Sequence, residues 1–242
     1  MARPLDRLHR GNPRHGYGLV LLLVLASACF QVAAPAASWS QFVTIMLGAA
    51  TLLAAMVATN THHGLGRAAA AAALGLAALS GVFWLLTGSI PKGEAAIANG
   101  LLVAFAPLLI VRGILGDMRR EGVVTVHALA GVLAIYLLLG MFFSFLYGAV
   151  DGLSDSETFS GAVEAQRSDF LYFSYITQAT VGYGDIVPVT DVARMLAVAQ
   201  ALTGQVYLVT VVALIVTNLR PRSRPGERPS APAAGSAPPP PP

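Results

Sequence analysis

Six long apolar runs, separated by short polar segments, constrain this chain more than any other feature of its sequence. Each run has about the ~20 residues that an α-helix needs to cross the hydrocarbon core of a bilayer. Because backbone polar groups in lipid must be satisfied within the segment, we predict six transmembrane helices. The runs are Tyr17–Ala34, Trp39–Ala58, Ala68–Leu86, Ala95–Ile114, Val123–Val150 and Val189–Leu219. A shorter and more polar stretch, Asp169–Ala179, is predicted to be a re-entrant helix.

The composition excludes several classes of protein. Of the 242 residues, 55% are hydrophobic and only 11% are charged, whereas an ordinary soluble domain carries about 25% charged residues. So few charges cannot cover a water-facing surface, which argues against a soluble globular enzyme. The single cysteine excludes a disulfide framework and a cysteine-based zinc site. The net charge of +3 is too small to indicate a nucleic-acid partner, and we expect membrane lipid as a partner and no cofactor.

The basic residues assign the two sides of the membrane, because cytoplasmic loops are enriched in arginine and lysine. With an even number of spans, the arginines before the first run, after the second, between the fourth and fifth and after the last share one face. The opposite face carries Lys92, Arg167 and Arg194 together with most of the acidic residues. We therefore predict a multi-pass protein of the cell (plasma) membrane with cytoplasmic termini, and the alanine and arginine richness suggests a bacterial source. The run Val20–Phe30 also resembles a signal peptide, but we expect a retained helix with Cys29 as a small apolar residue.

The motif with the clearest chemistry follows the re-entrant stretch. An ion that enters a narrow pore must exchange water for oxygen ligands, and rings of backbone carbonyls supply them when successive carbonyls point to one side. Alternate residues must then adopt conformations that are costly for residues with a Cβ atom, and glycine removes that cost. Val181 and Tyr183 would turn their side chains outward into packing, and Thr180 would add its hydroxyl at the inner mouth. The motif reads Thr180-Val181-Gly182-Tyr183-Gly184-Asp185.

This motif resembles the signature of the potassium-channel family, and its surroundings agree. Residues 173–177 precede it like the pore helix of that family, and residues 185–188 follow it like the exit from the filter. The resemblance covers Val123–Leu219, whereas the first four runs resemble only the general layout of six-span bacterial channels. It implies an all-α membrane protein with six transmembrane helices, a re-entrant pore helix and a selectivity-filter loop. Because one filter occurs per chain, it also implies a homotetrameric pore that binds K⁺ at Thr180, Val181, Gly182 and Tyr183.

The resemblance divides the chain into four segments. Residues 1–16 form a cytoplasmic N-terminal segment, residues 17–115 a four-helix bundle with a degenerate sensor-like layout, and residues 123–219 the pore domain. Residues 220–242 form a tail rich in proline and arginine, which cannot bury a core and is expected to be disordered. A docking role of this tail on anionic lipid is the alternative.

Several residues near the filter receive supporting roles from the same resemblance. Tyr172 aligns with an aromatic residue that bonds the aspartate after the filter, so its hydroxyl should reach Asp185. The Tyr183 hydroxyl needs a partner, and the nearest candidate is Thr177, in the same or the adjacent subunit. We expect Ser168 or Asp169 to cap the pore helix, and Tyr172, Phe173 and Tyr175 to pack around the filter. Two positions depart from common family patterns, Ile176 and Ala179.

The last run contains the candidate gating and cavity residues. Gly204 matches the position of a gating hinge in the family, although glycine also serves close helix packing in membranes. Gln205 is expected to face a neighbouring helix or a wet cavity. Leu208, Val212 and Val216 recur at helical spacing and are candidates to line an inner constriction. For His127, in the fifth run, a neutral side chain bonded to a neighbouring carbonyl is favoured over a role as a proton sensor.

The expected function is passive, potassium-selective conduction with weak or no voltage dependence. The fourth run contains one basic residue, Arg112, at its cytoplasmic end, whereas a working sensor repeats arginine at every third position. A non-selective cation channel of the same architecture is the alternative, and the intact Tyr183 position argues against it. An intramembrane serine protease would need a nucleophile motif that Leu79-Ser80-Gly81 lacks. A transporter would need paired charges within the spans. The sequence does not indicate what opens the pore.

Overall fold

The computed structural model describes residues 16–35, 37–59, 65–88, 91–121, 126–154, 157–161 and 165–218. Within these residues the chain forms seven α-helices and one two-stranded ribbon. The helices are α1 Gly16–Ala33, α2 Ser38–Ala58, α3 Leu65–Thr87, α4 Lys92–Glu121, α5 Val126–Leu153, α6 Arg167–Gln178 and α7 Asp191–Asn218. The strands are β1 Phe159–Ser160 and β2 Val187–Pro188. The two predicted terminal segments lie largely outside the described residues.

The helices confirm the predicted architecture. Six of them are long and apolar enough to cross a membrane, whereas the 12-residue α6 is too short to do so. The largest difference concerns α4, which extends past both ends of the predicted run and continues through Pro107 without a break. Charged residues at its two ends continue the helix beyond its apolar part, and hydropathy alone detects only that part. The protein is therefore a helical multi-pass membrane protein.

Close contacts between glycines bring α4 and α5 together in an antiparallel pair. A Cβ atom on Gly152 would lie only 2.6 Å from the backbone nitrogen of Gly93. Further along the same pair, a Cβ atom on Gly131 would lie 3.3 Å from side-chain atoms of Ile110 and Ile114. Small residues at a crossing allow helices in a membrane to approach closely and gain packing contacts. The resulting interface includes much of the main apolar core.

The third helix is the least embedded in the single chain. It contacts α2 and α4, and its Trp84 ring stacks on the ring of Phe42 at 5.8 Å. Leucines along the helix are nevertheless exposed, with Leu85 at 77% and Leu86 at 80%. In a bilayer such an apolar face contacts lipid, and the helix contributes little to the position of the motif after α6.

The residues around the motif form a second, aromatic core. The Phe159 ring lies 5.5 Å from that of Tyr147 and 4.9 Å from that of Phe173. Phe159 belongs to β1, which pairs with β2 in antiparallel register, so that Phe159 lies opposite Pro188. The ribbon was not predicted from the sequence, because two-residue strands are too short to show periodicity. It joins the segment before α6 to the segment after the motif.

Candidate functional site

The site is built on α6, which begins at Arg167 after an extended residue, Gln166. The backbone nitrogen of Gln166 donates a hydrogen bond to Asp169 Oδ2 at 2.9 Å. The prediction that Ser168 or Asp169 is the N-cap is therefore wrong, since both lie inside the first turn. Asp169 still stabilises this end of the helix, because its carboxylate satisfies the donor of the capping residue.

The interior face of α6 carries a buried polar network that ties it to α5 and α7. Gln200 Nε2 of α7 donates to the carbonyl oxygen of Ser174 at 2.9 Å and to its Oγ at 2.6 Å. The Tyr147 hydroxyl of α5 donates to Gln200 Oε1 at 2.8 Å. Gln178 Nε2 donates to the carbonyl oxygen of Tyr136 at 2.7 Å. Ser174, Gln178, Gln200 and Tyr147 are all fully buried, so the network fixes the last two turns of α6.

Two of the three aromatic residues expected around the filter face α5 instead. The Tyr175 hydroxyl donates to the carbonyl oxygen of Leu137 at 2.9 Å, and its ring packs against Gly140. Phe173 is 6% exposed and belongs to the aromatic core. The expectation of a three-residue aromatic cuff is thus corrected for one chain. Of the three, only Tyr172 bonds to a residue of the motif, Asp185.

The backbone of the motif alternates between two kinds of conformation. Thr180, Gly182 and Gly184 have φ angles of +57°, +54° and +79°, in the left-handed region. The intervening residues do not have positive φ. A regular strand directs successive carbonyls to opposite sides, and left-handed residues at every second position reverse that alternation. The conformations expected of Gly182 and Gly184 are present, and Thr180 adopts the same region although it carries a Cβ atom.

Hydrogen bonds to the end of α6 position the start of the motif. The backbone nitrogen of Val181 donates to the carbonyl oxygen of Ile176 at 2.8 Å, and the backbone nitrogen of Thr180 donates to the carbonyl oxygen of Thr177 at 3.0 Å. The motif therefore begins directly at the C-terminal end of α6, where the helix dipole is negative. Such an end favours a nearby cation.

The side chains of the motif lie on the surface of the single chain. Val181 is 49% exposed and Tyr183 is 73% exposed. Among the residues that the structure describes, no side-chain hydrogen bond of Tyr183 occurs, so its expected pairing with Thr177 stays a prediction about the assembled protein. The outward packing expected of Val181 and Tyr183 likewise needs a surface from outside the single chain.

The carboxylate after the motif is held by a tyrosine. The Tyr172 hydroxyl donates to Asp185 Oδ2 at 2.7 Å, which agrees with the contact expected from the sequence. This bond lowers the pKa of Asp185, because it stabilises the ionised carboxylate. The same bond raises the pKa of Tyr172 to about 12. The contribution of this contact to function stays a prediction.

The candidate hinge and cavity residues lie on α7, which is continuous from Asp191 to Asn218. A Cβ atom on Gly204 would lie 3.0 Å from Gln178 Cγ and 3.2 Å from the Gln178 carbonyl oxygen. The structure thus gives Gly204 a packing role against the end of α6, and a hinge role stays a prediction. Gln205 and Leu208 are exposed in the single chain. The side chains of Val212, Val216 and His127 lie outside the described residues.

Sequence reasoning missed the residues behind the motif. Gln178 and Gln200 were not selected, although each is a polar residue in a predicted membrane helix. Such residues generally face protein rather than lipid, and this signal could have found both glutamines. The left-handed conformation of Thr180 carries no comparable signal in the sequence.

Comparison with known proteins agrees with this geometry. Residues 131–220 match the family model described as "Ion channel". The chain is 42% identical over 77 residues to two pore potassium channel b of Oryza sativa subsp. japonica, which covers 31% of this chain and 20% of the relative. It is 33% identical over 93 residues to the voltage-gated potassium channel Kch of Escherichia coli (strain K12), with coverages of 38% and 21%.

Another plant protein gives a similar result. The chain is 42% identical over 76 residues to two-pore potassium channel 1 of Arabidopsis thaliana, covering 31% of this chain and 19% of the relative. The chain therefore spans about a fifth of the length of these relatives. No solved structure gives a significant match. Together the comparisons support an ion channel domain from α5 to α7, and a channel rather than an enzyme.

Proposed function

We propose that this chain forms a potassium-selective channel that conducts K⁺ passively across the membrane. The observation that carries the proposal is the alternation of left-handed residues at Thr180, Gly182 and Gly184. It suits a line of carbonyl oxygens directed to one side, which is the ligand arrangement that replaces the hydration shell of K⁺. The negative end of α6 adds favourable electrostatics at the inner side of that line.

The proposed assembly is a homotetramer around one axis. A ring of carbonyls needs several copies of the motif, and the chain contains one. The exposed face of α7 supports association, because it combines an apolar stripe at helical spacing with exposed polar residues such as Thr203 and Gln205. The exposed stripe comprises Val192, Met195, Val198, Leu202, Val206 and Val209. Four copies would cover Val181 and Tyr183 and give the Tyr183 hydroxyl access to a Thr177 partner.

The proposed orientation places the motif on the outer side of the cell membrane and both termini in the cytoplasm. This orientation rests on the distribution of arginine between the connecting segments. It supports entry of K⁺ from the cytoplasm into a cavity bounded by α7. Gln205, Leu208, Val212 and Val216 are the proposed lining of that cavity, and Gly204 is the candidate hinge.

The proposed channel has weak voltage dependence. Moving one elementary charge through the field changes the energy by ~2.3 kcal/mol per 100 mV, and steep gating uses three or four such charges per subunit. Arg112 is the only basic residue in the apolar part of α4, residues 95–114. Conductance–voltage curves in symmetric potassium are expected to have a slope of at most about four charges per tetramer. A much steeper slope would show that α1–α4 act as a voltage sensor.

A glycine substitution tests the proposed filter. Gly182→Ala places a Cβ atom at φ +54°, where L-residues are strained. We expect purified Gly182→Ala tetramers to lose selective potassium current in planar bilayers. Gly18→Ala is the matched control, because a Cβ atom there meets no atom within 4 Å, and its current should equal that of the unmodified protein. Unchanged selective current in Gly182→Ala would contradict the proposed filter.

A further inference from the structure

The exit segment, residues 186–189, directly follows the motif and is attached to the part of the chain around β1. Within the ribbon, Ser160 of β1 lies opposite Val187 of β2. The backbone nitrogen of Val189 donates to the carbonyl oxygen of Thr158 at 3.0 Å, which extends the contact beyond the two strands. The chain that leaves the motif is therefore bound to a segment that precedes α6.

The part of the chain around β1 is itself anchored in the protein interior. Thr158 is 0% exposed and Phe159 is 1% exposed. The Phe159 ring lies 5.5 Å from the ring of Tyr147 of α5 and 4.9 Å from the ring of Phe173 of α6. Aromatic rings in such contacts bury a large apolar area, which would be lost if the ring moved. The ribbon therefore holds the exit segment against a fixed part of the fold.

Gly161 brings the backbone after β1 against the motif itself. A Cβ atom on Gly161 would overlap the carbonyl oxygen of Asp185 and would lie 3.4 Å from the Cα atom of Ile186. Both obstacles are backbone atoms, which cannot rotate away as the end of a flexible side chain can. Gly161 also has a φ angle of +96°, which residues with a Cβ atom rarely adopt. The contact between the two backbones therefore requires glycine at this position.

Asp185 is held from two sides by these contacts. Its carbonyl oxygen lies against Gly161, and its carboxylate accepts a hydrogen bond from the Tyr172 hydroxyl at 2.7 Å. The peptide group that joins Gly184 to Asp185 is planar, so a displacement of Asp185 also moves the carbonyl oxygen of Gly184. The position of Asp185 therefore affects both its bond to Tyr172 and the outer end of the line of carbonyls.

We propose that Gly161 is a positioning residue of the filter. Its backbone, fixed through β1, keeps Asp185 where the Tyr172 hydroxyl can bind it and where the last carbonyls of the motif stay in line. Gly161 touches no ion and acts through Asp185. This inference rests on the proposed conduction of K⁺ and assigns a part in it to a residue outside the motif.

The first test measures mean open lifetimes of the purified full-length protein in planar bilayers with symmetric potassium. Gly161→Ala should shorten the lifetime by roughly tenfold, since overpacking against a backbone atom strains the conducting arrangement. Gly88→Ala is the matched control, because Gly88 has a φ angle of +72° but a Cβ atom there meets no atom within 4 Å. Its lifetime should equal that of the unmodified protein. Equal lifetimes of the two variants would overturn the proposal.

A double-mutant cycle with Tyr172→Phe shows whether Gly161 acts through Asp185. If the overlap in Gly161→Ala already displaces Asp185 from Tyr172, adding Tyr172→Phe should shorten the lifetime no further. Two changes that act independently would instead multiply their effects on the lifetime. Multiplied effects would show that Gly161 influences the channel by another route and would contradict the assignment.

A reversible cross-link tests the ribbon without a change in folding between the two states. Opposite residues of an antiparallel pair have Cα atoms about 4.5–5.5 Å apart, a separation that a disulfide can span. Ser160→Cys with Val187→Cys, in a Cys29→Ser background that removes the native cysteine, should open for longer after oxidation with copper phenanthroline than after reduction. Equal lifetimes in the two states would overturn a positioning role of the ribbon.

The unmodified protein recorded in the same experiments separates this inference from the proposed function. A selective potassium current in the unmodified protein, together with a Gly161→Ala lifetime equal to that of Gly88→Ala, would refute the role of Gly161 alone. A current that does not distinguish potassium from sodium would refute the proposed function and this inference with it.

Discussion

The two ends of α6 differ in how completely their polar groups are satisfied. At the C-terminal end, Gln178, Gln200 and Tyr147 are fully buried, and their side chains are linked by hydrogen bonds to α5 and α6. At the N-terminal end, Arg167 is bound to α2 on one side and presents an unpaired Nε on the other. A fully satisfied buried network specifies one position of the helix, whereas an unpaired polar group adds a cost and no such specification.

This difference in hydrogen bonding between the two ends of α6 follows their distance from the motif. The satisfied network lies directly before Thr180, where small displacements would change the distances between carbonyl oxygens and an ion. The unsatisfied groups lie one helix length away, at the contact with α2 and α4. We infer that the C-terminal end of α6 is the rigid support of the proposed filter, and that its N-terminal end is the adjustable contact with the first four helices.

The largest expected effect follows from removing the centre of the satisfied network. Gln200→Leu leaves the Tyr147 hydroxyl and Ser174 groups without their partner, and should lower the free energy of unfolding by about 3 kcal/mol. Thr203→Val is the matched control on α7, since the Thr203 hydroxyl is exposed and bonds only within the helix. This variant should change the free energy of unfolding by less than about 0.5 kcal/mol. Chemical unfolding in mixed micelles gives both values. Equal effects of the two variants would remove the distinction between the network and an ordinary helix surface.

A slightly smaller effect is expected at the packing contact behind the motif. Gly204→Ala places a Cβ atom 3.0 Å from Gln178 Cγ. Such overpacking should lower the free energy of unfolding by about 1–3 kcal/mol. Gly75→Ala on α3 meets no atom within 4 Å and should be neutral or stabilising by up to about 1 kcal/mol. The same unfolding measurement compares them. A neutral Gly204→Ala would show that close packing does not explain this glycine and would favour the hinge.

At the opposite end of α6, Arg167→Met should lower the free energy of unfolding by less than Gln200→Leu does. The variant loses three hydrogen bonds to α2 but also removes a partly buried charge that has no ion pair among the described residues, so the two contributions partly offset. We expect a net change of about 1 kcal/mol in the free energy of unfolding at low salt. A loss as large as that of Gln200→Leu would mean that both ends of α6 are held equally tightly.

The smallest effect on stability is expected from Tyr172→Phe, which breaks the exposed bond to Asp185. The pKa of Asp185 is lowered in the folded chain, so the bond stabilises the fold above the ordinary pKa of 3.8 and is lost as pH falls through the lowered value. It is also lost as pH rises through about 12, the raised pKa of Tyr172. The difference in stability between the variant and the unmodified protein should therefore vanish in strong acid. A difference that persists there would show that the ring, not the hydroxyl bond, stabilises this region.

The same variant has an expected functional effect. Since Tyr172 contacts the residue after the filter and not the filter carbonyls, Tyr172→Phe should shorten open lifetimes without changing selectivity. Single-channel recordings of the two proteins in symmetric potassium measure the lifetimes. A changed ratio of potassium to sodium permeability would instead assign Tyr172 to the selective part of the site.

The helices were predicted well from the sequence because the length and hydropathy of an apolar run identify a membrane helix. All six long helices and α6 occur where the apolar runs and the short polar stretch indicated. The positive φ angles of Gly182 and Gly184 followed from the need for carbonyls on one side, and the bond between Tyr172 and Asp185 followed from the family resemblance. These features depend on local sequence or on a motif of fixed spacing.

The remaining features depend on contacts between distant segments, which the sequence does not display. The β1–β2 ribbon, the network around Gln200 and the contact of Arg167 with α2 each join residues that are far apart in the chain. The contacts of Tyr175 and Phe173 with residues of α5 were not predicted, for the same reason. Aromatic residues near a motif are assigned to it by proximity in sequence, whereas the helix directs them elsewhere.

The most direct test of the central claim is the reversal potential of purified channels under bi-ionic conditions. With potassium on one side of a planar bilayer, and sodium with a low, known potassium concentration on the other, a filter built from Thr180, Val181, Gly182 and Tyr183 should give a current that reverses close to the potassium equilibrium potential. The reversal potential should move by about 59 mV for each tenfold change in potassium concentration. A reversal potential near zero that does not respond to the exchange of sodium for potassium would contradict the account.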